Sequence, residues 1–185
     1  MPIPLTMLSL SNGLPRRAWE RLRAEASGRY DGHCAYCGEH PNSLLVHEVW
    51  AYDDDPPELP GGSWRFPDPP PAAPFSRPGV QRLTDLVPAC HRCHLVLHPN
   101  RARPDWIDGL LEHLCRVREI DRAQAVHEVR QAFATWHERS GRPWVQDLGA
   151  YAPLVPLGGL QRHRRRLYSC SDWNPHPVEL ALGER

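Results

Sequence analysis

Four cysteines in two matched pairs carry the strongest chemical signal in the chain: Cys34 and Cys37, then Cys90 and Cys93, each pair separated by two residues. Two thiolates at that spacing reach one tetrahedral zinc, and a second such pair closes the coordination shell with four sulfurs. A shell closed in this way leaves no position for substrate, so the expected ion is structural. A disulfide or thiol-redox role fits less well, because paired CxxC steps in a reducing compartment point to metal. The 52 residues at positions 38–89 exceed what a simple zinc ribbon needs, so functional structure is expected between the pairs. Cys115 and Cys170 stand alone, and Cys115, within a helical stretch, is read as a packed side chain.

A second constellation lies beside the first. His94 follows Cys93 directly and His98 comes four residues later, a spacing that puts both imidazoles on one helix face. His47 and Glu48 end an apolar β-prone run, and Asp85 precedes the second cysteine pair. Together these side chains are a candidate site for a hard divalent ion and a positioned water. Other polar residues read more plainly. His33 and His91, inside the cysteine pairs, are expected as exposed loop residues, and Asp53, Asp54 and Asp55 as a solvated turn.

Elements must hold these groups in place. Arg16 to Ser27 reads as a helix with Trp19, Leu22 and Ala26 on one face. Residues 30–40 form a turn carrying the first cysteine pair, 43–52 a strand, 80–88 a strand or turn, and Cys90 to Pro99 a short helix. Nine prolines between Pro56 and Pro78 mark an extended, irregular loop. Two helices follow, Asp105 to Arg118 and Asp121 to Arg139, with Asp121 as N-cap of the second and Gly141 as its end. The last thirty residues read as loop, with a basic run at Arg162, Arg164, Arg165 and Arg166. The division expected is an N-terminal arm and helix over 1–29, a core over 30–99 with the 56–78 insertion, a helical extension over 100–152 packed on that core, and a basic tail over 153–185.

The 22 basic and 22 acidic residues balance to zero formal charge, which argues against a whole-surface nucleic-acid binder and leaves local patches. Every basic residue is arginine, a side chain suited to bidentate phosphate contacts. Arg82, Arg92, Arg101 and Arg103 flank the histidine and cysteine motifs and are the candidate nucleic-acid contacts. No apolar run approaches a membrane span, so the expectation is a cytoplasmic protein without membrane association.

The succession of GHCAYCG, LLVHEVW, GVQRL, TDLVPACHRCHLVLH and WHERSGRPWVQDL resembles the HNH nucleases, in particular bacterial and phage members, over residues 15–150. The resemblance implies an α+β fold: a small zinc-stabilised ββα-metal core, treble-clef-like, with flanking helices and long irregular loops. It implies a metal-dependent endonuclease acting on DNA in the minor groove, with structural zinc and a catalytic magnesium, manganese or other divalent ion. His98 and Asp85 would hold that ion, and His94 would hold metal or phosphate. His47 would be ligand with Glu48 as base, or, with a one-residue slip, base with Glu48 as supporting ligand. Asp85 stands where the family carries an asparagine, and Glu48 where the base histidine is usual. The alternative reading is an inactive zinc-stabilised module that binds nucleic acid or protein. A homodimer is the sharper expectation for the apolar helix faces; packing on the core is the plainer one.

Overall fold

The computed structural model describes residues 10–56, the backbone of 64–65, and residues 79–140, 144–155 and 182. The fold is α+β. In chain order the elements are α1 (Leu10–Gly13), α2 (Arg16–Arg29), β1 (Leu45–Asp53), β2 (Trp64–Arg65), β3 (Gly79–Ala89), α3 (His91–Leu97), α4 (Ile107–Arg118), α5 (Arg122–Ser140) and β4 (Trp144–Asp147). The strands form one sheet in the order β1-β3-β4-β2. Among the described residues no helix is long and apolar enough to cross a membrane.

The described residues fall into two compact units, each assembled from separated stretches of chain. One takes 10–22, 48–56, 64–65, 79–86, 136–140 and 144–155; the other takes 23–47, 87–135 and 182. The boundary therefore passes between His47 and Glu48 within β1.

In the first unit β4 runs parallel to β3, with Gly79 opposite Trp144 and Arg82 opposite Asp147, and antiparallel to β2. Trp144 is buried at 2% exposure, and Tyr52 meets it edge-on at 5.3 Å between centroids. A Cβ on Gly79 would stand 2.6 Å from the Trp144 ring, so this position admits only glycine without a shift of the strand. Arg139 lies over Tyr52 at 4.4 Å and pairs with Asp54 at 2.8 Å. That bond, and the Asp55 N–H to Asp53 Oδ1 at 3.2 Å, make the acidic run a turn closing β1. Strand β4 was not expected; its four residues follow Gly141, in the stretch assigned to the helical extension, and pairing with β3 and β2 holds WVQD extended.

In the second unit α4 packs on α3 and α5, with Val96, Ile107, Leu111, Leu114, Val129 and Leu182 facing one another. The apolar face of α4 is thus covered in part by α3 and α5. A 3-10 turn, Pro104–Trp106, replaces the first turn expected of α4. Asp121 caps α5 reciprocally: its Oδ1 accepts from Gln124 N–H at 2.8 Å, and its own N–H donates to Gln124 Oε1 at 3.1 Å. The basic run at 162–166, Cys170 and most of the proline-rich loop lie outside the described residues.

Candidate metal centres

The first cysteine pair sits on a knuckle. Gly38, at φ +70°, turns the chain in the left-handed region, its N–H bonded to Cys34 O at 2.9 Å, while Cys34 N–H reaches Glu39 O at 2.8 Å. The second pair opens α3, where Cys90 is the N-cap and its Sγ accepts from Cys93 N–H at 3.4 Å. Two bonds bring the knuckles together: Ala35 N–H to Pro88 O at 2.9 Å, and Cys90 N–H to Cys34 Sγ at 3.2 Å. The four sulfurs lie within 4.8 Å of one another. Cys37 Sγ and Cys90 Sγ are 3.7 Å apart, far too long for a disulfide. Zinc–sulfur bonds of about 2.3 Å in a tetrahedron give sulfur–sulfur edges of about 3.8 Å, so the spacing fits a shared ion. Burial pushes the Cys37 thiol up to about 11 and the Cys93 thiol higher still, with the neighbouring sulfurs adding to the effect. Against the cost of its own burial, backbone N–H groups of Cys90, Cys37 and Tyr36 bring Cys34 down to about 7. Four sulfurs this close could hold one cation, whose charge would favour the thiolate forms that burial disfavours.

The second cluster joins His47 on β1 to His94 and His98 on α3, their ring nitrogens also within 4.8 Å of one another. The helical spacing brings the His94 and His98 centroids to 4.7 Å, and His47 lies 5.0 Å from His98 and 5.9 Å from His94. His98 is the C-cap of α3, its N–H bonded to His94 O and Leu95 O. His98 Nε2 faces His47 Nδ1 at 3.2 Å; zinc–nitrogen bonds of about 2.0–2.1 Å set tetrahedral edges of about 3.3 Å. Burial, then His94 and Arg101, lower His47 to about 4; burial, then His47, His94 and Arg101, lower His98 to about 3. His94 is lowered by burial, then by Arg101 and His91. All three imidazoles are therefore neutral at pH 7, the form that binds metal. Three nitrogen donors leave a fourth tetrahedral position for substrate or water, in contrast with the closed sulfur site.

The remaining expected site residues are placed elsewhere. Side chains alternate along a strand, so Glu48 leaves β1 on the face opposite His47. Its carboxylate accepts from Leu10 N–H at 2.6 Å and Trp50 Nε1–H at 3.2 Å. Asp85 Oδ1 accepts from Leu86 N–H at 2.7 Å. Neither carboxylate belongs to the histidine cluster. Arg82 is bonded to Asp147 at 2.8 Å, and Arg103 to both oxygens of Asp105, at 2.9 and 3.2 Å, while lying over Trp106. Arg92 is exposed, and its charge bears on His113. Arg101 is exposed, and its charge acts on all three clustered histidines. His91 is exposed as expected, whereas His33 is half-buried, with Nδ1 2.8 Å from Asp31 O.

Two neighbours were missed by sequence reading. Tyr36, between the first two cysteines, sets its ring edge-on to His47 at 5.9 Å. His113, buried at 4% exposure on α4, brings Nε2 to 3.0 Å from Cys93 Sγ. The only sequence signal for His113 was a histidine beside the apolar stripe of an amphipathic helix, which is ordinarily unremarkable. No protein-family model matches the chain, nor does any curated protein or solved structure.

Proposed function

We propose that the chain is an HNH-type metal-dependent endonuclease that hydrolyses DNA phosphodiester bonds, with structural zinc on Cys34, Cys37, Cys90 and Cys93 and a catalytic divalent ion on His47, His94 and His98. The observation that carries this reading is the pairing of a closed four-sulfur cluster with an open three-imidazole cluster, each drawing two of its members from α3 and its caps. The choice of DNA rests on the sequence resemblance to the HNH nucleases. The three-nitrogen donor set favours zinc, nickel, cobalt or manganese over magnesium, which prefers oxygen ligands.

When bound, the ion supplies charge stabilisation to the phosphate and lowers the pKa of water. His47, His94 and His98 serve as neutral ligands, held ready by burial. Arg101 is the arginine best placed to hold a phosphate oxygen, because its charge already reaches the cluster. The Glu48 carboxylate, bonded to Leu10 N–H and Trp50, is not the base in this reading.

That engagement of Glu48 also favours a second reading, an inactive zinc-stabilised module that binds nucleic acid or protein. Supercoiled plasmid separates the two. Incubation with protein and manganese, nickel, cobalt, zinc or magnesium should give nicked product, and His47→Ala and His98→Ala should abolish it. Plasmid retained in a gel shift but never nicked with any metal supports the inactive module; nicking that survives both substitutions removes the histidine site from the mechanism. A homodimer, as two-strand cutting often uses, is expected to show as a doubled mass on DNA by sedimentation.

A further inference from the structure

We propose that His113 is a positioning residue of the cysteine site, donating its Nε2–H to the Cys93 sulfur and, through Arg116 and Glu39, tying α4 to both cysteine pairs. The proposal rests on the reading that the cysteine cluster holds a metal.

Donor chemistry settles which way the bonds run. Arg116 Nη2 lies 3.0 Å from His113 Nδ1. A guanidinium has only donors, so Nδ1 is the acceptor and carries no proton. The proton of the neutral ring is then on Nε2, which lies 3.0 Å from Cys93 Sγ. The sulfur is therefore the acceptor, as a metal-bound thiolate is. Arg116 in turn donates to Glu39 Oε1 at 2.7 Å. Glu39 belongs to the first knuckle, where its carbonyl receives Cys34 N–H. The series Glu39, Arg116, His113, Cys93 thus starts at one cysteine pair, crosses two residues three apart on α4, and ends on the other pair. Hydrogen bonds of this kind orient ligands and spread thiolate charge, and their loss typically weakens metal binding about 10- to 100-fold. Because the donors lie on α4, metal occupancy and the docking of α4 are linked: each stabilises the other.

The test uses the full chain as wild type, His113→Leu, His113→Gln and Arg116→Met, loaded separately with zinc and with cobalt(II). Leucine fills the space without a donor, while glutamine restores an N–H. His113→Leu is expected to bind zinc about 10- to 100-fold more weakly in chelator competition. Its cobalt–thiolate charge-transfer band should move from the wild-type position, and His113→Gln should recover most of both properties. Arg116→Met, which frees Nδ1, is expected to fall between them. A packing role alone would lower the melting temperature of His113→Leu but leave the cobalt band unmoved; an unmoved band, with zinc affinity within about twofold of wild type, overturns the proposal. A wild-type chain that takes up no zinc overturns the metal reading as well, so the two failures are told apart. If His113→Leu does not fold, the imidazole nitrogen shifts of zinc-loaded wild type decide. An Nε2–H tautomer at His113 supports the bond, and an Nδ1–H tautomer contradicts it.

Discussion

The two clusters on α3 are built from opposite electrostatics. The cysteine site gathers thiols whose thiolate forms would repel one another, and burial raises Cys37 and Cys93. The histidine site gathers imidazoles whose charged form burial and mutual repulsion disfavour, lowering His47 to about 4, His98 to about 3 and His94 in the same direction. The first must shed protons to bind an ion and is costly to leave charged without one. The second stands ready with lone pairs and has nothing to neutralise. One site is therefore suited to holding the fold and the other to exchanging ligands.

The largest expected effect breaks the cysteine half. Cys90→Ser, or chelation of wild type, should unfold the second unit, since structural zinc contributes on the order of 10 kcal/mol in small domains. Circular dichroism and metal analysis check this, and a folded, metal-free protein would contradict it. His98→Ala should instead leave the fold near wild type in a thermal melt, yet lower nicking by at least about 100-fold.

pH sharpens the same contrast. His47 and His98 have folded pKa values of about 4 and about 3, below the ordinary 6.5. Between those limits the unfolded chain binds more protons, so these groups' contribution is present above pH 6.5 and is lost as pH falls toward 4 and then 3. In the metal-free protein the slope should reach up to about 1.4 kcal/mol per pH unit for each imidazole. Metal binding at the histidines should change little from pH 8 to 7 and release no protons. Zinc uptake by the cysteines should release protons, with affinity falling about tenfold per pH unit for each one displaced. Proton release in a weakly buffered titration distinguishes the two sites.

Smaller effects test the surroundings. Arg101→Ala should weaken DNA binding and reduce the slope of log affinity against log salt by about one, whereas Arg82→Ala, whose guanidinium is bonded to Asp147, should leave that slope unchanged. Glu48→Gln should cost about 1 kcal/mol or less through its bond to Leu10 N–H and leave nicking intact. A large loss of nicking on this substitution would return Glu48 to the base role.

Much of this contrast is legible in the residue types and their spacing. The CxxC spacing and the four-residue step from His94 to His98 encode local geometry, and a knuckle followed by a helix realises both. His47 was legible as well, because it lies within an apolar β-prone run that forms β1. Glu48 and Asp85 were harder: their partners, Leu10, Trp50 and Leu86, are chosen by strand face and local turn rather than by residue type. Strand β4 depends on a partner strand far away in sequence, and Trp144 reaches its place because Gly79 has no side chain. His113 lay beyond reach because α4 could have turned many faces to the knuckles; tertiary packing selects the one that points its imidazole at Cys93.

Metal stoichiometry tests the central claim most directly. After dialysis against zinc and removal of unbound ion, wild type should hold two equivalents per chain by elemental analysis. His98→Ala should hold one, and that one should resist mild chelation. A wild type with no bound metal, or one whose metal content is unchanged by His98→Ala, would contradict the existence of two distinct sites.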